Sequence, residues 1–462
     1  MTLFRAGDPR PIHFMGVAGA GMSGLALLAK HQGLAVTGCD KDPSGAADLA
    51  ALGVEIWGGH DPSHVDGVRA VVVSAAVSRE HPELVRARAQ GIPIVRRADA
   101  LGEAMTGGTV VAVAGTHGKT TTTVMVTEAL TAAGRNPTGF AGGRVAGWHG
   151  NARVGGRDLF VAEADEFDRA FLSLRPTIAV VTNVEADHLE CYGTLTALEA
   201  AFVEFARPAE RLIVGADDPG ALRVADAAGV PVWRVGFAEG ADVRIAAAEF
   251  GPAGSQARLV MPDAREIRLA LRVPGQHNVR NAAVALAVAA ALDVDLNLAA
   301  QALERFSGVA RRFERLGTKA GITVVDDYAH HPTEVAATLD GARQVFPGRR
   351  LVAAFQPHLF SRTALHGEAL GRALAEADVV VVAPVFGARE APVPGVTAEL
   401  VSRAASRAGA PTVSVRDRAD VTGAVLRLLV AGDVLLTLGA GDITAVGPEV
   451  LAKLEARVRG AG

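Results

Sequence analysis

Cysteine is almost missing from this chain: across 462 residues only Cys39 and Cys191 occur, and neither sits in a C-x-x-C pair. Two thiols cannot staple a fold, so stability has to come from packed cores, and a reducing compartment is implied. A dominant charge is missing too. The formal net charge is only -4, with no long block of like charge, which argues against the basic stripe of a nucleic-acid binder. No apolar h-region accompanies the stretch Met1 to Arg10, so no secretory signal is expected. The most apolar helical run, Ala282 to Leu292, is far shorter than the roughly 20 residues that cross a bilayer. Neither nucleic acid nor membrane is therefore expected as a partner. A cytoplasmic monomer or homodimer is the expectation. Lysine is scarce as well, confined to Lys30, Lys41, Lys119, Lys319 and Lys453, with arginine carrying nearly all the positive charge.

What is present reads as globular: 49% hydrophobic and 21% charged residues, without low-complexity tracts. A chain of 462 residues exceeds one ordinary core, so two or three domains are expected. Short Val/Ile-rich runs alternate with amphipathic helical stretches, the pattern of parallel α/β domains. Strands are expected at 11–17, 34–39, 70–74 and 92–95, with a helix over 21–32. The Thr106-Gly107-Gly108 break ends this segment. A second α/β segment opens with a strand at 109–114 and a helix through Leu130, and continues with strands at 158–164 and 177–182. From Asp242 to Val273 the period shifts toward two, which predicts antiparallel strands; helices resume over 278–292 and 296–306. A second boundary falls near Phe313 to Lys319, followed by strands at 322–325, 351–355, 379–383 and 434–438 separated by helices.

The strongest motif is Gly115-Thr116-His117-Gly118-Lys119-Thr120-Thr121, set between a strand and a helix. The N–H groups of such a turn cradle phosphate oxygens, with Lys119 reaching the β/γ-phosphates of ATP and the Thr120 hydroxyl holding Mg²⁺. The glycine spacing departs from the usual P-loop, because Val113 stands five residues before Gly118. Two acidic groups just past strand ends, Glu163 to Asp168 and Thr182 to His188, offer oxygen ligands for the metal. A second glycine turn, Gly16-Val17-Ala18-Gly19-Ala20-Gly21-Met22-Ser23-Gly24, follows the first strand, and Asp40 ends the next. That pattern fits any diphosphate-bearing ligand, a nicotinamide dinucleotide included; in a dinucleotide site the acidic residue would hold a ribose. Two diphosphate cradles in one chain point to a nucleotide substrate besides ATP.

These motifs together resemble the Mur ligase family over nearly the whole chain, and its alanine-adding members most. Gly115 to Thr121 is similar to the family's ATP loop, the shortened glycine spacing included. Glu163 to Asp168 matches its acidic metal segment, although Phe167 stands where the alanine-adding members commonly have serine. Asn183 to His188 matches the metal-histidine segment. Gln276-His277-Asn278 through Asn281 resembles the adenine-side helix, and Gly308 to Phe313 the arginine pair before the third domain. Asp326 to Glu334, Gln356 to Arg362 and Gly439 to Asp442 resemble the C-terminal signatures.

The resemblance implies three α/β domains: an N-terminal Rossmann-like domain over 1–107, a central P-loop-type ATPase domain over 108–314, and a C-terminal Rossmann-like domain over 315–462. It implies an ATP-dependent amide ligase acting on UDP-N-acetylmuramate and L-alanine through an acyl phosphate, with Mg²⁺ as cofactor and Mn²⁺ able to substitute. A member attaching a peptide to the same sugar nucleotide is the alternative. Gly16, Gly19, Gly21, Met22, Ser23 and Asp40 are implied for the UDP substrate. Gly115 to Thr121, with His277, Asn278 and Asn281, are implied for ATP. Thr120, Glu163 and His188 are implied for metal. Lys119, His188, His330, His331 and Arg362 are implied for catalysis. Sibling ligases that add later residues carry a carbamoylated lysine in the central domain; no lysine lies between Lys119 and Lys319, which excludes that device here.

Overall fold

The computed structural model describes residues 3–4, 7–74, 77–388 and 390–460. Met1, Thr2, Arg5 and Ala6 of the N-terminal stretch, and Ala461 and Gly462 at the end of the last predicted domain, lie outside the described residues. The architecture is α/β with three sheets. No helix among the described residues is long and apolar enough to cross a membrane.

The backbone forms two compact units. The first comprises Met1–Ala247, Arg258–Leu269 and Arg280–Glu304; the second comprises Ala248–Ala257, Ala270–Val279 and Arg305–Gly462. The first sheet lies in the first unit and has five strands: β1 (Ile12–Met15), β2 (Val36–Asp40), β3 (Glu55–Gly58), β4 (Ala70–Val73) and β5 (Ile94–Arg96), in the order β3-β2-β1-β4-β5. All of these pairs are parallel. The order reverses direction at β1, and in such sheets the crevice beyond the carboxyl ends at the reversal is the ligand site. The glycine turn leaves β1 at that point.

The second sheet contains β6 (Thr109–Ala114), β7 (Thr138–Val145), β8 (Gly150–Arg153), β9 (Leu159–Glu163), β10 (Ile178–Val181), β11 (Arg211–Gly215), β12 (Val232–Gly236), β13 (Val243–Gly251), β14 (Gly254–Val260) and β15 (Glu266–Leu271). Their order is β15-β14-β13-β12-β11-β10-β6-β9-β7-β8. β6 is the central strand, parallel to β10 on one side and β9 on the other. Its Val/Ala run is buried almost throughout, as a parallel strand covered on both faces must be. The predicted change of period after Asp242 corresponds to β13–β15. Only two residues separate β13 from β14, and hydrogen-bonded neighbours joined that closely can only be antiparallel.

The helix Lys119–Ala132 that follows β6 is rich in threonine, with Thr120 to Thr123 in succession. β-Branched residues are poor helix formers. Burial of ten of its side chains supplies what propensity does not. The helix Ala20–His31 packs on β8 closely enough that a Cβ at Gly24 would come within 2.9 Å of the Ala152 Cβ. One core therefore runs continuously from Leu25 and Phe14 through Phe140 and Phe160 to Phe202.

The third sheet belongs to the second unit: β16 (Glu314–Lys319), β17 (Ile322–Asp327), β18 (Leu351–Phe355), β19 (Val379–Val382), β20 (Thr412–Ser414) and β21 (Val434–Leu438), ordered β16-β17-β21-β18-β19-β20. Only β16 is antiparallel to its neighbour. The stretch around 313–319, expected from sequence to be a boundary, thus contributes an edge strand. Separate apolar clusters cover the two faces, one built around Val325, Leu339 and Phe355 and the other around Val324, Ile443 and Val450.

Candidate functional site

Parallel pairing of β9, β6 and β10 brings three loops to one edge of the second sheet. The middle loop is Gly115–Gly118. Gly115 has φ +130°, and a Cβ there would stand 2.1 Å from Thr182 Oγ1, so no other residue fits. Gly118 is left-handed at φ +81° and begins the helix without a side-chain cap, leaving the first-turn N–H groups for an anion. A Cβ on Gly118 would come within 2.8 Å of Asn281 Oδ1, so Asn281 stands directly against the loop.

The loop is woven to its neighbour after β10. Thr116 N–H donates to Asn183 O at 2.9 Å and His117 N–H to Asn183 Oδ1 at 2.8 Å. Thr182 Oγ1 donates to His117 O at 2.6 Å, and the Thr116 hydroxyl accepts from Glu185 N–H at 2.9 Å. The His117 ring lies 3.0 Å from Glu185 Oε2. These bonds hold the cradle's shape before any ligand arrives.

Lys119 folds back over the loop. Its Nζ donates to Gly115 O at 2.6 Å, to Thr116 O at 3.2 Å and to Glu166 Oε1 at 2.8 Å. Burial opposes the ammonium, but Glu166, Asp165 and Glu163 outweigh it and hold its pKa above the ordinary lysine value. For Glu166 burial prevails over the attraction of Lys119, so its carboxyl is pushed up. Its second oxygen, Oε2, is buried with no hydrogen-bond partner among the described residues. Glu166, Thr182 and Asn183 are site residues the sequence reading did not single out. All three stand inside motif segments, and only the strand order shows which members face the loop.

Glu163 ends β9 and accepts from Thr120 Oγ1 at 3.0 Å and from Gly142 N–H. A hydroxyl and a carboxylate this close at the mouth of a phosphate loop are the hard oxygen donors that Mg²⁺ takes, so the donor set fits that ion. His188, in a left-handed backbone conformation at φ +54°, lies edge-on to Phe167 with ring centroids 5.2 Å apart. Its Nδ1 is 3.2 Å from Glu190 Oε1, and this bond holds the Glu190 carboxyl below its usual range. Its Nε2 is 3.9 Å from Asp187 Oδ2. Thr121 is buried in the first turn of the loop's helix.

The other glycine turn lies at the carboxyl end of β1. Gly16 is left-handed at φ +72°, Gly19 begins the helix Ala20–His31 without a side-chain cap, and a Cβ on Gly21 would strike Arg97 Nη1 at 2.3 Å. Asp40 Oδ2 accepts Ala18 N–H at 3.0 Å and Oδ1 accepts Asp42 N–H at 3.1 Å. The carboxylate thereby shapes the turn. Met22 sits in the core, and Ser23 Oγ donates to Asn151 Oδ1 at 3.0 Å.

In the second unit the predicted C-terminal motifs, far apart in sequence, converge at the carboxyl ends of β17, β21 and β18. Arg311 and Arg312 both cover the Tyr328 ring, at 4.9 and 5.0 Å from its centroid. Arg311 Nη2 donates to Gly439 O at 2.6 Å, and Gln356 Nε2 donates to Asp442 Oδ1 at 2.7 Å. Asp327 accepts N–H groups from Phe313 and Ala329, both at 2.7 Å, yet burial raises its pKa to about 6. His330 N–H donates to Glu334 Oε2 at 3.0 Å and its ring lies 6.2 Å from that of His358. Arg362 Nη1 lies 3.3 Å from His358 Nδ1. His331 caps the helix Pro332–Val345 by accepting Thr333 N–H, with Glu334 completing the capping box. Asn278 Nδ2 donates to Pro274 O at 2.7 Å, and the His277 ring fills the space where a Cβ on Gly275 would stand.

Three family models match the chain in succession. Residues 11–109 match the "Mur ligase family, catalytic domain", 113–289 the "Mur ligase middle domain" and 311–441 the "Mur ligase, glutamate ligase domain". A UDP-N-acetylmuramate–L-alanine ligase of Kineococcus radiotolerans is 47% identical over 456 residues, 96% of each chain. The crystal structure of the UDP-N-acetylmuramate–alanine ligase of Thermotoga maritima superposes with a TM-score of 0.81 at 30% identity, over 97% of this chain and 99% of that one. A murein peptide ligase of Psychrobacter arcticus follows with a TM-score of 0.72 at 28% identity, over 96% and 98%.

Proposed function

We infer, for a chain that belongs to the Mur ligase family, that it joins L-alanine to the lactyl carboxylate of UDP-N-acetylmuramate at the expense of ATP, in peptidoglycan precursor synthesis. The observation that carries this reading is the phosphate loop with Lys119 paired to Glu166, in a chain 47% identical to an alanine-adding ligase over 96% of both lengths. Attachment of a peptide to the same sugar nucleotide is less well supported, since the peptide ligase is 28% identical.

A carboxylate is a poor electrophile for an amine, so it must be activated. The γ-phosphoryl group of ATP passes to the lactyl carboxylate, and ADP leaves. The amine of L-alanine attacks the acyl phosphate carbon, and phosphate departs from the tetrahedral intermediate. Phosphoryl transfer asks mainly for positioning and charge neutralisation. The N–H groups of Gly118 to Thr121 at the helix start hold the phosphates, while Gly115, Thr116 and His117 shape the loop. Lys119 exchanges its carbonyl partners Gly115 and Thr116 for phosphate oxygens, while Glu166 keeps it aimed and charged. Asn281, with His277 and Asn278, serves the adenine side. Thr120, Glu163 and His188 are the residues that would hold Mg²⁺ or Mn²⁺, which when bound supplies neutralisation of the transferring phosphoryl group. Gly21, in the first turn of the helix, offers a backbone donor to the UDP diphosphate, while Gly16, Gly19, Met22, Ser23 and Asp40 shape that turn. His330, His331 and Arg362 act on the substrate side of the reaction. The domains are assigned to 1–107, 108–314 and 315–462, and the enzyme works in the cytoplasm as a monomer or homodimer.

The test is phosphate release from ATP, with and without UDP-N-acetylmuramate, across alanine, glycine, serine and the peptide. Release that requires both the sugar nucleotide and alanine is expected. Release that responds to the peptide and ignores alanine would overturn the reading.

A further inference from the structure

The first sheet carries a second cluster of chemically able side chains on the face away from the glycine-turn helix. Side chains alternate along β1: Ile12 and Phe14 enter the core shared with that helix, whereas Met15 joins a separate cluster with Cys39, Val65 and Leu84. His13 points to this second side. It meets Cys39 of β2, His64 of the 3₁₀ turn Pro62–Val65 and Glu83 of the helix Pro82–Ala89. One ligand atom from each of the four lies within 4.8 Å of all the others. His64 Nδ1 is 2.9 Å from Glu83 Oε1, and Cys39 Sγ is 3.4 Å from Glu83 Oε2. A tetrahedral zinc with bonds of about 2.0–2.3 Å holds its ligand atoms roughly 3.3–3.7 Å apart, so the widest edge must close by about 1 Å.

Two further observations call for a cation there. His13 is fully buried; its Nδ1 lies 3.1 Å from Thr37 Oγ1, while its Nε2 has no hydrogen-bond partner among the described residues. Glu83 is also fully buried, and its ion-pair partners among the described residues are His60 and His64, with no lysine or arginine. A buried carboxylate is normally paired with a permanent cation or a metal. None of the four residues is used by the ligase chemistry described above.

We propose that His13, Cys39, His64 and Glu83 form a zinc site, distinct from the Thr120–Glu163 metal position, that clips the first two strands to the segment 62–65 and the helix Pro82–Ala89. A soft thiolate with imidazoles selects zinc over Mg²⁺. Binding forms a Cys39 sulfur–zinc bond and expels the thiol proton to solvent, with the Glu83 carboxylate as its first acceptor.

The full-length protein, stripped with a chelator and kept in excess Mg²⁺, is titrated with Co²⁺. One equivalent should produce the visible bands of tetrahedral Co²⁺ and a thiolate-to-metal charge-transfer band, both abolished by Zn²⁺. Cys191→Ser should retain that band and Cys39→Ser should lose it, while Glu83→Gln should weaken Co²⁺ binding about tenfold or more. Zinc should also raise the melting temperature of the stripped wild-type protein. A wild-type titration without a thiolate band, or a band that disappears in Cys191→Ser, overturns the proposal even where Cys39→Ser fails to fold.

Discussion

The two glycine turns of the first unit share a backbone plan and differ in electrostatics. Each follows a parallel strand, each opens a helix with no side-chain cap, and each contains left-handed glycine. The loop after β6 is crowded with charge: Lys119 spans it, Glu163 and Glu166 flank it, and Thr182 to Glu185 hold it by side-chain bonds. The turn after β1 has fewer charged neighbours: Asp40, with an oxygen already committed to Ala18 N–H, and Arg97, whose guanidinium stands against Gly21. Holding a diphosphate requires only oriented backbone dipoles. Moving a phosphoryl group requires charge placed where charge develops. On the proposed function, the contrast separates a turn that binds from a loop that reacts.

Metal removal should split the two most sharply. Chelation is expected to abolish ATP turnover while UDP-N-acetylmuramate still binds, as calorimetry on the metal-free protein would read. Loss of sugar-nucleotide binding along with turnover would break the contrast. Next in size is Lys119→Met, which should cost about 3 kcal/mol or more in the barrier, roughly a hundredfold or greater in kcat. Circular dichroism should be unchanged, because Glu166, already pushed up by burial, can take a proton when its partner is lost.

Paired alanine substitutions test the scaffolds. At Gly115 a Cβ would press to 2.1 Å from Thr182 Oγ1 and 2.9 Å from its backbone nitrogen, whereas at Gly16 nothing lies within 4 Å. Gly115→Ala should therefore lose about 2–4 kcal/mol of stability in denaturant titration. Gly16→Ala should lose only the left-handed penalty of about 1–2 kcal/mol. Equal losses would show that the two turns are held alike.

His188→Ala should raise the Mn²⁺ concentration for half-maximal activity several-fold, since imidazole favours Mn²⁺ over Mg²⁺, without altering sugar-nucleotide binding. Superimposable titration curves would remove His188 from the metal site and leave Thr120 and Glu163. A comparable effect belongs to Asp40→Ala, which gives up the bond to Ala18 N–H, worth about 1–2 kcal/mol. That change should raise KM for the sugar nucleotide about tenfold and leave kcat unchanged.

Much of this was legible in the chain itself. β6 spans the predicted residues 109–114, and the glycine turn, Lys119 and Thr120 follow it directly, because a strand–loop–helix cradle is local and its residues are contiguous. Elements whose formation depends on distant partners were not legible. β7 reads Thr-Gly-Phe-Ala-Gly-Gly-Arg-Val, a poor strand by propensity, and is made by its pairing with β8 and β9. Sequence patterning assigns nothing to the stretch 184–241, yet β11, β12 and the helices Leu195–Ala206 and Pro219–Ala228 form there. The edge strand β16 occupies a stretch that reads as a boundary because none of its residues is buried.

Composition and motif order by themselves determined an α/β chain of several domains with two glycine turns, each between a strand and a helix, since period and glycine position are local properties. Which carboxylate serves which cation was decided only in three dimensions. Strand order puts the ends of β9 and β10 on either side of β6, so Glu163 falls beside Thr120 and Glu166 beside Lys119. The same holds for Tyr328 under Arg311 and Arg312, and for Gly439, bonded to Arg311 across 128 residues. The pairing of His13, Cys39, His64 and Glu83 likewise has no signature in spacing. Parallel sheets bring together the carboxyl ends of strands remote in sequence, and chain distance carries no record of that neighbourhood.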